Sequence, residues 1–130
     1  MVIDTSAILA VLEDEAEADA FKLEIAAAAI RLVSAGTYLE TAIVVESRKG
    51  TEGLSQLDLL IGSAGIEIAS FDSEQALTAQ QAYSRYGKGR HKAALDFGDC
   101  FSYALSKTTG QPLLFKGDDF SKTDIVPAIV

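Results

Sequence analysis

Short apolar runs alternate with longer segments of helical period along the whole chain, and this alternation limits the fold more than any other feature. Val2–Asp4 reads as a buried strand, as do Ile30–Ala35, Ile66–Ser70 and Leu113–Phe115. Strands separated by helices need crossover connections, which give an α/β fold: a parallel sheet covered by helices on both faces. Thr5 and Ser6 begin a turn into an apolar helix, Ala7–Leu12. A second helix is predicted over 13–29, with acids in its first turn, where the helix dipole favours them. Gly36 is predicted to break the chain before a third helix that stops at Gly50, and 54–64 to form a short fourth. Asp72 and Gln75 match a capping box for a helix ending near Tyr86. The stretch YGKGRHKAALDFG reads as a loop. From Phe97 onward, Phe101, Ala104, Leu105 and Thr108 recur at helical spacing. Gly110 and Pro112 end that helix, and Asp124–Val126 forms a last edge strand limited by Pro127.

At 130 residues the chain is expected to be one domain, able to bury about two-thirds of its unfolded surface. No basic-then-apolar leader opens it, and no apolar run is long enough to span a bilayer, so no membrane partner is expected. The single cysteine, Cys100, excludes an internal disulfide and fits a reducing cytoplasm; its place is that of a small buried hydrophobe. A net charge of −8 argues at first against nucleic acid. Distribution weakens that objection, because Arg85, Lys88, Arg90 and Lys92 place four of the eleven basic residues within eight positions, beside His91. Glu13–Asp19 reads as a solvated helix face.

Four acids, Asp4, Glu40, Asp99 and Asp118, fall beside strand or helix ends. In open α/β sheets, ligands bind outside the carboxyl ends of the strands, so one sheet would gather all four. Two carboxylates 4 Å apart repel by roughly 4 kcal/mol at an effective dielectric near 20. A hard divalent cation relieves that repulsion and takes oxygen ligands, which points to metal-assisted phosphodiester chemistry. Each acid also has a structural reading. Asp4 can cap the following helix, a role open to Ser6 as well. Thr37-x-x-Glu40 is a capping-box pattern, and both readings of Glu40 stand. Asp96 is placed as the cap of the last long helix and Asp99 as a metal ligand, with Gly98 allowing close approach. Of Asp118 and Asp119, one is expected to face the site, preferably Asp118, while the other caps the turn FSKTD.

Three segments, MVIDTSAILA, ETAIVVESRKG and LDFGDCFSYALSKTTGQPLLFKGDDF, resemble the PIN-domain ribonucleases, specifically the VapC-type toxins of toxin–antitoxin pairs, over essentially the whole chain. That resemblance implies a single PIN domain over residues 1–130, built as a three-layer α/β/α sandwich with a central, mostly parallel sheet. It also implies Mg²⁺- or Mn²⁺-dependent cleavage of RNA, a homodimer, and inhibition by a cognate antitoxin occupying the acidic cleft. Carried over by position, the family's acids fall on Asp4, Glu40, Asp99 and Asp118, with Asp4 and Asp99 as principal metal ligands. Independently of the resemblance, the concentration of Arg85, Lys88, Arg90 and Lys92 in one glycine-rich segment leading to Asp99 predicts that they contact the RNA backbone. The alternatives are a PIN-like module that binds without cutting and a receiver-like phosphoacceptor domain using Lys116. The second lacks adjacent acids after the first strand, where Asp4 is followed by Thr5 and Ser6.

Overall fold

A computed structural model describes residues 1–129. Four parallel strands, β1 (Val2–Ile3), β2 (Leu32–Ser34), β3 (Glu67–Ala69) and β4 (Leu113–Leu114), form one sheet in the order β3-β2-β1-β4. Val2 registers with Leu32 on one side and Leu113 on the other. The helices are α1 (Thr5–Leu12), α2 (Ala18–Ala27), α3 (Ala35–Ser63), α4 (Ser73–Tyr86) and α5 (Phe97–Thr109), followed by a 3₁₀ turn at Phe120–Lys122. Alternate strand residues enter opposite cores. Ile3, Val33 and Leu114 pack with α1, α2 and α3, through Ala7, Ile8, Phe21, Ile25 and Leu57. Val2, Leu32 and Leu113 pack with α4 and α5, through Ala82, Tyr86, Tyr103 and Leu105. This period-two division of short apolar strands produces the three layers expected from the sequence.

Several elements differ from the sequence reading for local reasons. The predicted helix over 13–29 is shortened to α2, because Glu13 ends α1 and Asp14 takes a positive φ of 51°. The acids before α2 are not a solvated helix face: Glu15 and Glu17 both pair with Lys116, at 2.6 and 3.1 Å. Gly36 does not break the chain. It lies in the first turn of α3, where a Cβ would enter the Phe101 ring, so the glycine serves close helix packing. Gly50 does interrupt the helix: at φ 61° and ψ −146° it separates two helical halves across a kink. Asp72 caps α4 by accepting from Gln75 N, but the Gln75 amide turns to the Ser70 carbonyl instead of closing the box. The predicted strand at 124–126 is reduced to a bridge between Leu113 and Pro127. Among the described residues no helix is long and apolar enough to cross a membrane.

Candidate active site

The strand order reverses beside β1: the chain builds outward through β2 and β3, then returns to add β4 on the other side. Crevices in open α/β sheets form at such reversals, outside the strands' carboxyl ends. Asp4 stands there directly after β1, with only 5% of its surface exposed. It does cap α1, accepting from Ser6 N at 3.1 Å, so its structural and functional readings coexist. Its Oδ2 also accepts from Ser6 Oγ at 2.7 Å, and its Oδ1 from the buried Ser102 Oγ at 2.6 Å. Burial pushes the Asp4 carboxyl above the usual range, and these hydrogen bonds oppose the shift.

Glu40 comes from the second turn of α3. Its capping-box reading fails, since Ser34 caps the helix and Thr37 lies inside it, with its hydroxyl 3.2 Å from Ser102 Oγ. Glu40 reaches sideways and accepts from Thr5 Oγ1 at 2.8 Å. Thr5 Oγ1 also lies 2.9 Å from Thr41 Oγ1, whose own proton goes to the Thr37 carbonyl. The Glu40 carboxyl is raised in the same direction, first by burial and then by the charges of Asp4 and Asp96.

Asp99 sits in the first turn of α5, whose N-terminus lies at the same end of the sheet. Asp96 caps α5 as expected, and Asp99 closes a capping box with it: Asp96 Oδ1 accepts from Asp99 N at 2.9 Å, and Asp99 Oδ2 accepts from Asp96 N at 3.0 Å. Burial pushes the half-buried Asp99 carboxyl up to about 8, and the charges of Asp4 and Asp96 add to the shift. Cys100 is buried next to it, as expected, with its thiol pushed up to about 11 chiefly by burial.

Asp118 is placed differently. Lys116 N donates to Ser6 Oγ at 3.0 Å, which brings the segment after β4 against the Asp4 turn, and Gly117 then bends the chain at φ 103°. The Asp118 carboxylate is exposed and makes no hydrogen bond to Asp4, Glu40 or Asp99 among the described residues. Neither Asp118 nor Asp119 caps the following turn with its side chain; the Asp118 carbonyl accepts from Ser121 instead. Arg85, Lys88, Arg90 and Lys92 are all exposed, and none forms an ion pair among the described residues. Their loop is tied down at both ends by Lys88 N to Leu95 O and Leu95 N to Tyr86 O. His91 braces it, accepting from Ala93 N and meeting the Tyr86 ring edge-on.

The structure thus brings together Asp4, Glu40 and Asp99, with Asp96 within electrostatic reach. Among the described residues no three acidic, histidine or cysteine side chains already form a ligand set. Asp99 Oδ2 and Glu40 Oε1 are turned to Asp96 and Thr5. The donor chemistry nevertheless fits a hard cation: every donor is oxygen, and the three carboxyls hold their protons unusually tightly. The hydroxyls of Thr5, Thr41 and Ser102 were not anticipated. Their only sequence signals are the spacings Thr37–Thr41 and Asp99–Ser102, which place each pair on one helix face.

Comparison with known proteins places the chain in a defined neighbourhood. A family model described as PIN domain matches residues 1–126. Ribonuclease VapC30 of Mycobacterium tuberculosis is 53% identical over 125 residues, covering 96% of this chain and 95% of that one. Ribonuclease VapC of Mycolicibacterium smegmatis is also 53% identical, over 96% of this chain and 97% of the relative. Among solved structures, Mycobacterium tuberculosis VapC20, described as a sarcin-ricin loop cleaving toxin, superposes with a TM-score of 0.77. That alignment covers 96% of this chain and 95% of the toxin at 18% identity, which speaks for the fold alone.

Proposed function

The chain belongs to the PIN-domain family, among its VapC ribonucleases, and from that premise we propose a divalent-metal-dependent endoribonuclease toxin with Asp4, Glu40 and Asp99 at its centre. The observation that carries this reading is the convergence of three carboxyl groups from three separate elements, all with raised pKa. A Mg²⁺ or Mn²⁺ ion would compensate their charge. When bound, it would polarise a phosphoryl oxygen and lower the pKa of water. Asp4 and Asp99 are the residues to hold it. Glu40, half-buried at the rim, is suited to orienting the attacking water, and Asp118 on its exposed loop to completing the site from the β4 side. The exposed basic groups Arg85, Lys88, Arg90 and Lys92 suit the RNA backbone, since phosphate contacts position a strand without reading its sequence.

Residues 1–130 act in this reading as one PIN domain in the cytoplasm. A homodimer and a cognate antitoxin are its protein partners. Leu39, Ile43 and Phe97 are 61%, 59% and 79% exposed, and they line a groove of about 280 Å³ with Glu40 in its wall. A protein covering this apolar surface would lie against the acidic site. Brief induction of the toxin followed by sequencing of cellular RNA ends tests the activity. New ends at defined positions are expected with the wild type and not with Asp4→Asn. Identical end profiles from the two would overturn the proposal.

A further inference from the structure

Ser102 is fully buried in α5, three residues beyond Asp99 and therefore on the same helix face. A serine inside a helix ordinarily turns its hydroxyl to the carbonyl one turn back or to solvent. Ser102 does neither. It donates to Asp4 Oδ1 at 2.6 Å, and Thr37 Oγ1 lies 3.2 Å behind it. A carboxylate offers about four acceptor positions. Ser6 takes two on Oδ2 through its N–H and hydroxyl, and Ser102 takes one on Oδ1. The two oxygens are thus held from opposite sides, Oδ2 by Ser6 next to it in sequence and Oδ1 by Ser102 of α5.

We propose that Ser102 is a positioning residue that fixes the Asp4 carboxylate so that Oδ1 presents its remaining lone pair to a divalent cation. Partners behind a metal-binding carboxylate set its orientation, and losing one typically weakens affinity by about 10–100-fold. Asp99 and Ser102 then act as a unit on one helix face: the first supplies a carboxylate, the second aims the carboxylate of β1. This inference rests on Asp4 being a metal ligand.

The test is Mn²⁺ binding to the purified full chain, followed by calorimetry and by loss of the free-ion electron paramagnetic resonance signal. Ser102→Ala and Ser102→Cys are compared with wild type, each first shown to melt cooperatively. The cysteine keeps the volume and removes the strong donor, so it covers the case in which the alanine protein does not fold. The expected result is Mn²⁺ affinity lower by about 10–100-fold in either folded variant, with an altered bound-ion spectrum. Wild-type binding with affinity unchanged within twofold in the variants overturns the role of Ser102 alone. No Mn²⁺ binding by the wild type overturns the metal reading and this inference with it.

Discussion

Gly98 and Glu40 are in such close contact that a Cβ on the glycine would overlap the glutamate carboxylate. The site therefore depends on an absent side chain in α5 to seat an acid from α3. The overlapping atoms are the far end of a flexible side chain, so Gly98→Ala should displace Glu40 rather than unfold the protein. A small misplacement of a catalytic group can cost roughly 100-fold in rate. Gly98→Ala should then retain its fold by circular dichroism and lose RNA cleavage by about that factor. Wild-type cleavage rates would show that the position of Glu40 is unimportant.

Glu40→Gln separates chemistry from support. The amide oxygen can still accept from Thr5, so stability should change little. Cleavage should fall sharply, because an amide cannot carry the charge that orients a water. Unchanged cleavage, measured on a defined RNA, would leave Glu40 a purely structural role.

Asp99 makes the metal-free protein sensitive to alkali. Its folded pKa of about 8 lies above the ordinary carboxylate value, so between roughly pH 4 and 8 the folded state binds more protons than the unfolded one. Its contribution is full below that window and is lost as pH rises through about 8. The melting temperature should fall across that range without metal, and added Mn²⁺ should restore it. Asp99→Asn keeps an acceptor for Asp96 N but removes the charge. It should flatten the pH profile and raise the metal-free melting temperature at pH 8 by a few degrees, roughly what 1 kcal/mol gives a domain of this size. A wild-type melting temperature that rises from pH 5 to 8 without metal would contradict this.

The sequence made the sheet and Asp4 legible for one physical reason: an acid closing an apolar strand is placed by the strand itself. Glu40 was ambiguous because Thr37-x-x-Glu40 has the spacing of a capping box, while the actual cap, Ser34, was hidden in a segment read as strand. Its hydroxyl neighbour Thr5 is 35 positions away, a partnership that only the sheet creates. Ser102 was invisible for the same reason, since its partner Asp4 lies 98 residues earlier. Glu15 and Glu17 looked like solvated helix because nothing local reveals Lys116 as their partner. Asp118 was placed by its strand alone, and its exposed loop does not fix where the carboxylate points.

The basic loop should act on affinity and not on cleavage position. Replacing Lys88, Arg90 and Lys92 with alanine should weaken RNA binding and reduce the slope of log affinity against log salt by roughly 0.7 for each phosphate no longer neutralised. These side chains are exposed and form no ion pair among the described residues, so the fold should tolerate the change. Unchanged RNA affinity at both low and high salt would assign the loop to another partner or to solvent.

The most direct measurement is cleavage of a defined RNA by protein stripped with a chelator and then titrated with Mn²⁺ or Mg²⁺, for the wild type, Asp4→Asn and Asp99→Asn. The account predicts no cleavage by the stripped wild type, saturable recovery with either ion, and no recovery in the two variants at any concentration. Cleavage by the wild type in excess chelator, or full recovery in purified Asp99→Asn, would contradict it.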